Sequence, residues 1–286
     1  GGVSKVLQRC RPRDQVMTGL LRKIVLETRW PVLCFSAGLC AIVAMLTWVL
    51  PTMLGDIEKV FDAVPFIKPL IAALLGVDPD RQFSAEMTQA FLWVHPTVLS
   101  TIWGHEIMYC TRTPAAEIDR GTVDFLLGLP VSRWKLFLAE TVGWLVSGFL
   151  IICTGILGHV LVAQQYSADM RPTMAVTAMI LANLFSMYIT VGAIAFLISS
   201  ISDRRNKAMG GIFALLLFSF LVNFLARFWE PAQSWARISV LEYYRPATVI
   251  QDGVFPLTNV AILLSVGFVC WFMAGTILRR RSICTV

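Results

Sequence analysis

Apolar stretches long enough to cross a bilayer alternate with short polar segments along this chain. From Trp30 to Gly55 there is no Asp, Glu, Lys or Arg. A helix needs roughly 20 apolar residues to traverse about 30 Å of hydrocarbon, so a first span is expected over Pro31–Leu54. The same pattern predicts a second span over Met87–Cys110, broken by His95-Pro96 and ending near His105-Glu106. Further spans are expected over Trp134–Ala163, Thr173–Ser202, Ala208–Phe228 and Val254–Leu278. The reading is an all-α polytopic membrane protein with six transmembrane helices, in one transmembrane domain covering residues 1–286.

The polar segments carry patterns of their own. Over Gln15–Trp30, Val16, Leu20, Ile24 and the Lys/Arg positions fit an N-terminal amphipathic interfacial helix on the membrane surface. The loop Gly55–Arg81 is acidic and is cut by Pro65 and Pro69, which limits it to short helices. The segment between the fifth and sixth spans holds Trp229, Trp235, Tyr243 and Tyr244, residues suited to the lipid–water boundary. Between the second and third spans, Ala115–Gly128 reads as a short helix. Asp119, Arg120 and Asp124 give it a polar side, and Ile118, Val123, Leu126 and Leu127 an apolar one. Gly128 and Pro130 stop it, and Ser132 can cap the third span. Composition alone favours an inert connector here; its position between two spans makes it a candidate lever.

Composition supports lipid as the solvent. The 286 residues are 57% hydrophobic and 15% charged, where soluble domains average about a quarter charged. Lys5, Arg9, Arg11, Arg13, Arg22, Lys23 and Arg29 precede the first span. Arg112, Arg120, Arg133 and Lys135 follow the second, Arg204, Arg205 and Lys207 the fourth, and Arg279, Arg280 and Arg281 the sixth. The other face holds fewer: Lys59, Lys68, Arg81, Arg171, Arg227, Arg237 and Arg245. The positive-inside rule therefore places both termini in the cytoplasm. The net charge of +6 lies in clusters flanking apolar runs, which is a topology signal and not a nucleic-acid surface. The polar, basic start does not read as a cleavable signal. The seven cysteines lie in apolar runs or beside basic segments, which argues against a disulfide framework.

Catalytic readings find little support. His105-Glu106 lacks the second His of a His-Glu-x-x-His zinc helix, because position 109 is Tyr. Glu106 is expected to pair with a base such as Arg112 near the end of its span, and Glu140 similarly; both count as possible intramembrane polar sites. His95 and His159 need partners from neighbouring helices, and Asn183 and Asn223 can bond between helices. Ala178, Ala182, Ser186 and Thr190 form a small-residue face, better read as packing than as a substrate path. Asp203-Arg204-Arg205-Asn206-Lys207 is a topology signal that could also touch a partner or anionic lipid. There is no clustered metal-ligand or nucleophile–base pattern, and no Gly-x-x-x-x-Gly-Lys-Ser/Thr phosphate loop, so the chain is expected not to be an enzyme.

The string "EIDRGTVDFLLGLPVSRWKLFLAE" resembles a segment of ABC-2-type permeases, the membrane subunits of ATP-binding cassette exporters. The matching positions are Glu117, Gly121, Thr122, Leu126, Leu127, Leu129, Pro130, Ser132 and Arg133. In that family the segment contains a cytoplasmic coupling helix seated in a cleft of the ATPase. The resemblance implies an ATPase-coupling interface at Glu117, Asp119, Arg120, Gly121, Thr122, Asp124, Phe125, Leu126, Pro130, Ser132 and Arg133. It also implies two copies of an ABC ATPase subunit, which bind the ATP and Mg, and a homodimer or heterodimer of permeases. The expected location is the plasma (inner) membrane. The competing classes are an ATP-independent secondary transporter, which predicts buried paired carboxylates and often an internal repeat, and an intramembrane enzyme.

Overall fold

A computed structural model describes residues 13–52, 64, 91–122, 131–166, 173–226 and 228–281. Every regular element among the described residues is helical. The long ones are α1 (Arg13–Thr52), α2 (Pro96–Cys110), α3 (Arg133–Ala163), α4 (Met174–Ile201) and α5 (Arg205–Leu225). Two short helices follow, α6 (Glu230–Ala236) and α7 (Pro246–Asp252), and then α8 (Leu257–Arg280). Among the described residues α1, α3, α4, α5 and α8 are each long and apolar enough to cross a membrane. The second expected span is helical on both sides of a break, over residues 91–94 and in α2. The two pieces together rise about 30 Å. The acidic loop Gly55–Arg81 and the start of the second span at Met87 lie outside the described residues.

The helix ends follow local chemistry. His95 caps α2, its Nδ1 accepting from the Thr97 backbone N–H at 3.3 Å, with Pro96 at the first helical position. Ser132 caps α3 as expected, its Oγ accepting from the Lys135 N–H at 3.3 Å. Thr173 caps α4 in the same way.

One boundary differs from expectation. The amphipathic segment Gln15–Trp30 and the first span form one uninterrupted helix of 40 residues, with Pro31 in its interior. At about 1.5 Å per residue it is about 60 Å long, twice the hydrocarbon thickness. Its apolar stripe is covered by protein, since Leu20, Ile24 and Thr28 are buried. The basic half is thus the foot of a long helix packed against its neighbours.

Inter-helix contacts fix the topology. Ser36 O accepts from Thr154 at 3.2 Å, and Trp48 O from Tyr166 at 2.7 Å. The numbers rise together, so α1 and α3 run parallel along their length. Thr190 and Ser200 of α4 pair with Leu263 of α8 and with Arg281 in the same sense. The helix α2 packs against α1, α3 and α4, whereas α5 packs against α2, α4 and α6. In lipid, tight packing and hydrogen bonds hold helices together. A methyl at Gly158 would sit 2.5 Å from the Cys40 carbonyl oxygen, and one at Gly267 would lie 3.2 Å from the Thr190 Cα. The face Ala178–Thr190 divides accordingly: Ser186 and Thr190 are buried and Ala178 and Ala182 exposed. Thr190 Oγ1 donates to Leu263 O at 2.8 Å. At the other end of the bundle, Trp229 and Trp235 are exposed as a boundary belt requires. Tyr244 instead turns inward and donates to Trp93 O at 3.1 Å.

Candidate coupling site

The chain from Arg112 to Arg133 leaves α2 and enters α3 at the bundle's more basic end. It begins with a kinked stretch over Arg112–Ala116, with Thr113 extended at φ -130 and ψ 126, in which Thr113, Pro114, Ala115 and Ala116 are buried. A single α-turn, Glu117–Asp119, follows. This helix stops well short of the Gly128 expected from the pattern. Gly121 sits at φ +69 and reverses the chain, a conformation in which a Cβ would crowd the backbone. Its N–H donates to Ile118 O at 3.0 Å and the Thr122 N–H to Glu117 O at 3.0 Å. These two bonds form a Schellman cap. The Thr122 hydroxyl donates in turn to the Glu117 carboxylate.

The spaced Glu, Gly and Thr of the sequence string therefore have a common structural job. They lock a compact turn whose outer residues, Asp119, Arg120, Gly121 and Thr122, are all exposed. Asp124, Phe125, Leu126 and Pro130 of the expected interface, with Leu127, Leu129 and Gly128 beside them, lie outside the described residues.

Both ends of the segment are anchored by arginine. Arg112 pairs with Glu27 of α1 and with Glu140 of α3, and Glu140 also accepts from Thr113 Oγ1 at 3.3 Å. The guanidinium lies 5.2 Å from the centre of the Tyr109 ring, close enough for a cation–π contact. Burial works to lower its pKa, but Glu140, Tyr109 and Glu27 outweigh that and leave it above the ordinary guanidinium value. Arg133, at the other end, donates to Leu278 O at 3.3 Å and to Arg281 O, which ties it to the end of α8. Arg281 reaches Ser200 O at 2.7 Å, Ser202 O at 3.0 Å and the Asp203 carboxylate. Arg205 donates weakly to Thr111 Oγ1 and Met108 O, each at 3.4 Å. The turn thus hangs between two polar knots that join α1, α2, α3, α4, α5 and α8. Displacing it must load several helices at once.

The remaining polar residues are placed as follows. Glu140 pairs with Arg112, as foreseen. Glu106 does not: Arg112 is occupied by Glu27 and Glu140, and Glu106 is fully buried inside the bundle. The pairing fails because Arg112 begins the kinked stretch and faces α1 and α3. His159 Nδ1 lies 3.0 Å from Thr47 Oγ1, Asn183 donates to Tyr243 O at 3.3 Å, and Asn223 donates to Glu242 at 2.9 Å. These bonds are helix-to-helix fastenings. Of the loop Asp203–Lys207, Asp203 and Arg205 are engaged within the chain, and Arg204 and Lys207 are exposed or partly so. Sequence reasoning missed Glu27, Asp203 and Arg281 as parts of the knots. The available signal at Glu27 was an acidic residue inside a basic flank.

A helical bundle with an apolar surface, five of whose helices among the described residues are long and apolar enough to cross a membrane, defines a multi-pass membrane protein. The sequence model for ABC-2 family transporter proteins matches residues 107–262, more than half of the chain and including the turn Glu117–Thr122. The chain belongs to that family, and is thereby a permease component of an ABC transporter, partnered by an ATPase subunit. No curated protein and no solved structure matches it.

Proposed function

We propose that this chain, as one permease domain over residues 1–286, works in a plasma-membrane exporter driven by two copies of a separate ATPase subunit, with its termini in the cytoplasm. ATP and Mg belong to that subunit; this chain supplies the receiving lever and the moving spans. The observation that carries the reading is the turn Glu117–Thr122: exposed on its outer side, closed by its own cap, and bordered by Arg112 and Arg133. A push on an exposed, stiff turn reaches α1 and α3 through Arg112 and α8 through Arg133. A floppy connector would absorb the same push. Asp119 and Arg120 are the charged groups free to meet a partner, and Phe125, Leu126 and Pro130 supply the apolar contact. Ser132 and Arg133 hold the start of α3. A second permease, identical or not, completes the transport pathway.

The test uses Arg120→Glu and Gly121→Trp in the transporter assembled with its ATPase. Both are expected to insert and assemble while losing transport-linked stimulation of ATP hydrolysis. Stimulation at the wild-type level in both variants would remove the turn from the coupling path.

A further inference from the structure

We propose that Glu106 is a proton-binding site inside the bundle, occupied by a proton in the conformation described here and loaded from the basic end of the helices. The residue is 0% exposed. Neither carboxyl oxygen has a hydrogen-bond partner among the described residues, and the Gly192 backbone amide approaches without reaching hydrogen-bond geometry. A carboxylate in such a place needs a cation, a set of donors or a proton.

The cations are committed elsewhere. Arg112 is held by Glu27 and Glu140, and Lys23 also leans on Glu27 at 3.5 Å. Arg205, on α5, is spent on Thr111 and Met108. The groups that face Glu106 cannot neutralise it. Cys110 of α2 and Tyr188 of α4 lie within electrostatic reach of it, His105 and Tyr109 are its neighbours along α2, and Glu140 of α3 lies near Cys110. His105 makes no bond to Glu106; its Nδ1 is 3.3 Å from the Tyr188 hydroxyl, and its ring lies among Phe35, Tyr109 and Tyr188. No cluster of metal ligands exists among the described residues. The remaining occupant is a proton.

Polar side chains lie along α2 between Glu106 and the basic end of the bundle. Tyr109 lies one turn nearer the basic end, buried, its hydroxyl without a partner and set against Gly143 of α3. Its ring sits under Arg112, whose pair with Glu140 closes the end of the bundle. The proton comes from a hydronium ion at that end: one of its O–H bonds breaks, leaving water, and one O–H bond forms on a Glu106 oxygen. Because the chain leads from α2 through a kink at Thr113 to the turn Glu117–Thr122, a shift of α2 that opens the knot also exposes Glu106. Proton occupancy and helix position are then linked, whichever motor moves the helix.

Infrared spectroscopy of the full chain in phosphatidylcholine bilayers tests this by titrating pH alone. Wild type should show a protonated-carboxyl stretch at neutral pH that shifts with carbon-13-labelled glutamate and bleaches as the pH is raised. Glu106→Gln should abolish the band, and Glu106→Asp should move it. Were Glu106→Gln to fail to fold, the wild-type titration and the aspartate variant decide the matter alone. A wild-type spectrum without the band at neutral pH, or a band unchanged in both variants, would overturn the proposal.

Discussion

Removing Arg112 should cost far more than removing either acid with which it pairs. The Glu140 side chain is 8% exposed and that of Arg112 17%. Arg112→Ala would leave Glu140 as a buried charge with Thr113 as its remaining donor at 3.3 Å. Breaking a buried pair from one side costs about 3–5 kcal/mol, most of it the penalty of the stranded ion. That is a rise in unfolded population of between about a hundredfold and several thousandfold. Glu27 adds little: its side chain is 42% exposed, and solvent screening holds such pairs to about 0–1 kcal/mol. The double variant Arg112→Ala/Glu140→Gln strands no charge and should recover all but about 1 kcal/mol of the loss. Cys110 is a built-in reporter, because it is fully buried beside the knot and becomes reactive to a thiol dye on unfolding. Thermal unfolding of the four proteins in one lipid–detergent mixture gives the coupling. Should the double variant prove less stable than Arg112→Ala, the stranded-charge account is wrong and the knot acts through packing.

Other expectations can be checked alongside. The raised pKa of Arg112 fixes a sign: a basic group shifted up contributes fully below its unfolded value and loses that contribution as pH climbs through the folded one. Both lie far above the neutral and moderately alkaline range, so the deficit of Arg112→Ala against wild type should be the same at neutral and moderately alkaline pH. A methyl at Gly192 would fall 2.1 Å from the Trp144 ring, whereas nothing lies within 4 Å of one at Gly210. Gly192→Ala should therefore destabilise by about 1–3 kcal/mol, while Gly210→Ala should be neutral or stabilising by up to about 1 kcal/mol in the same unfolding assay. Gly121→Ala should loosen the turn by about 1–2 kcal/mol, read as faster amide exchange at Thr122, with Gly121→Asn milder. Thr190→Val removes the 2.8 Å bond to Leu263 and should cost about 0.6 kcal/mol, not more than about 1.7.

The spans were legible because charge-free runs leave little choice: α3 and α4 begin and end within a residue or so of the positions their composition suggests. Ser132 was readable as a cap for the same local reason, whereas Thr173 was read only as the start of its span. The continuity of α1 was not. Trp30-Pro31 looks like a boundary in sequence, yet proline at 31 is accommodated inside the helix because packing against α3 holds the two halves in line. The shape of the turn Glu117–Thr122 was not legible in its residues. A left-handed glycine at 121 cannot be told from a flexible one without the two bonds that close over it. Nor could the partners of Arg112 be chosen from spacing. Glu106 is nearer in sequence than Glu27 or Glu140, and long-range packing overrode proximity.

The length of α1 has a mechanical corollary. A stiff rod of about 60 Å, gripped along α3, turns small tilts into large excursions at its ends. A rotation of about 10° would swing one end relative to the other by roughly 10 Å. Angular changes too slight to see among the crossing helices would be magnified at the foot around Arg13, where a spin or fluorescent label would act like the tip of a gauge needle.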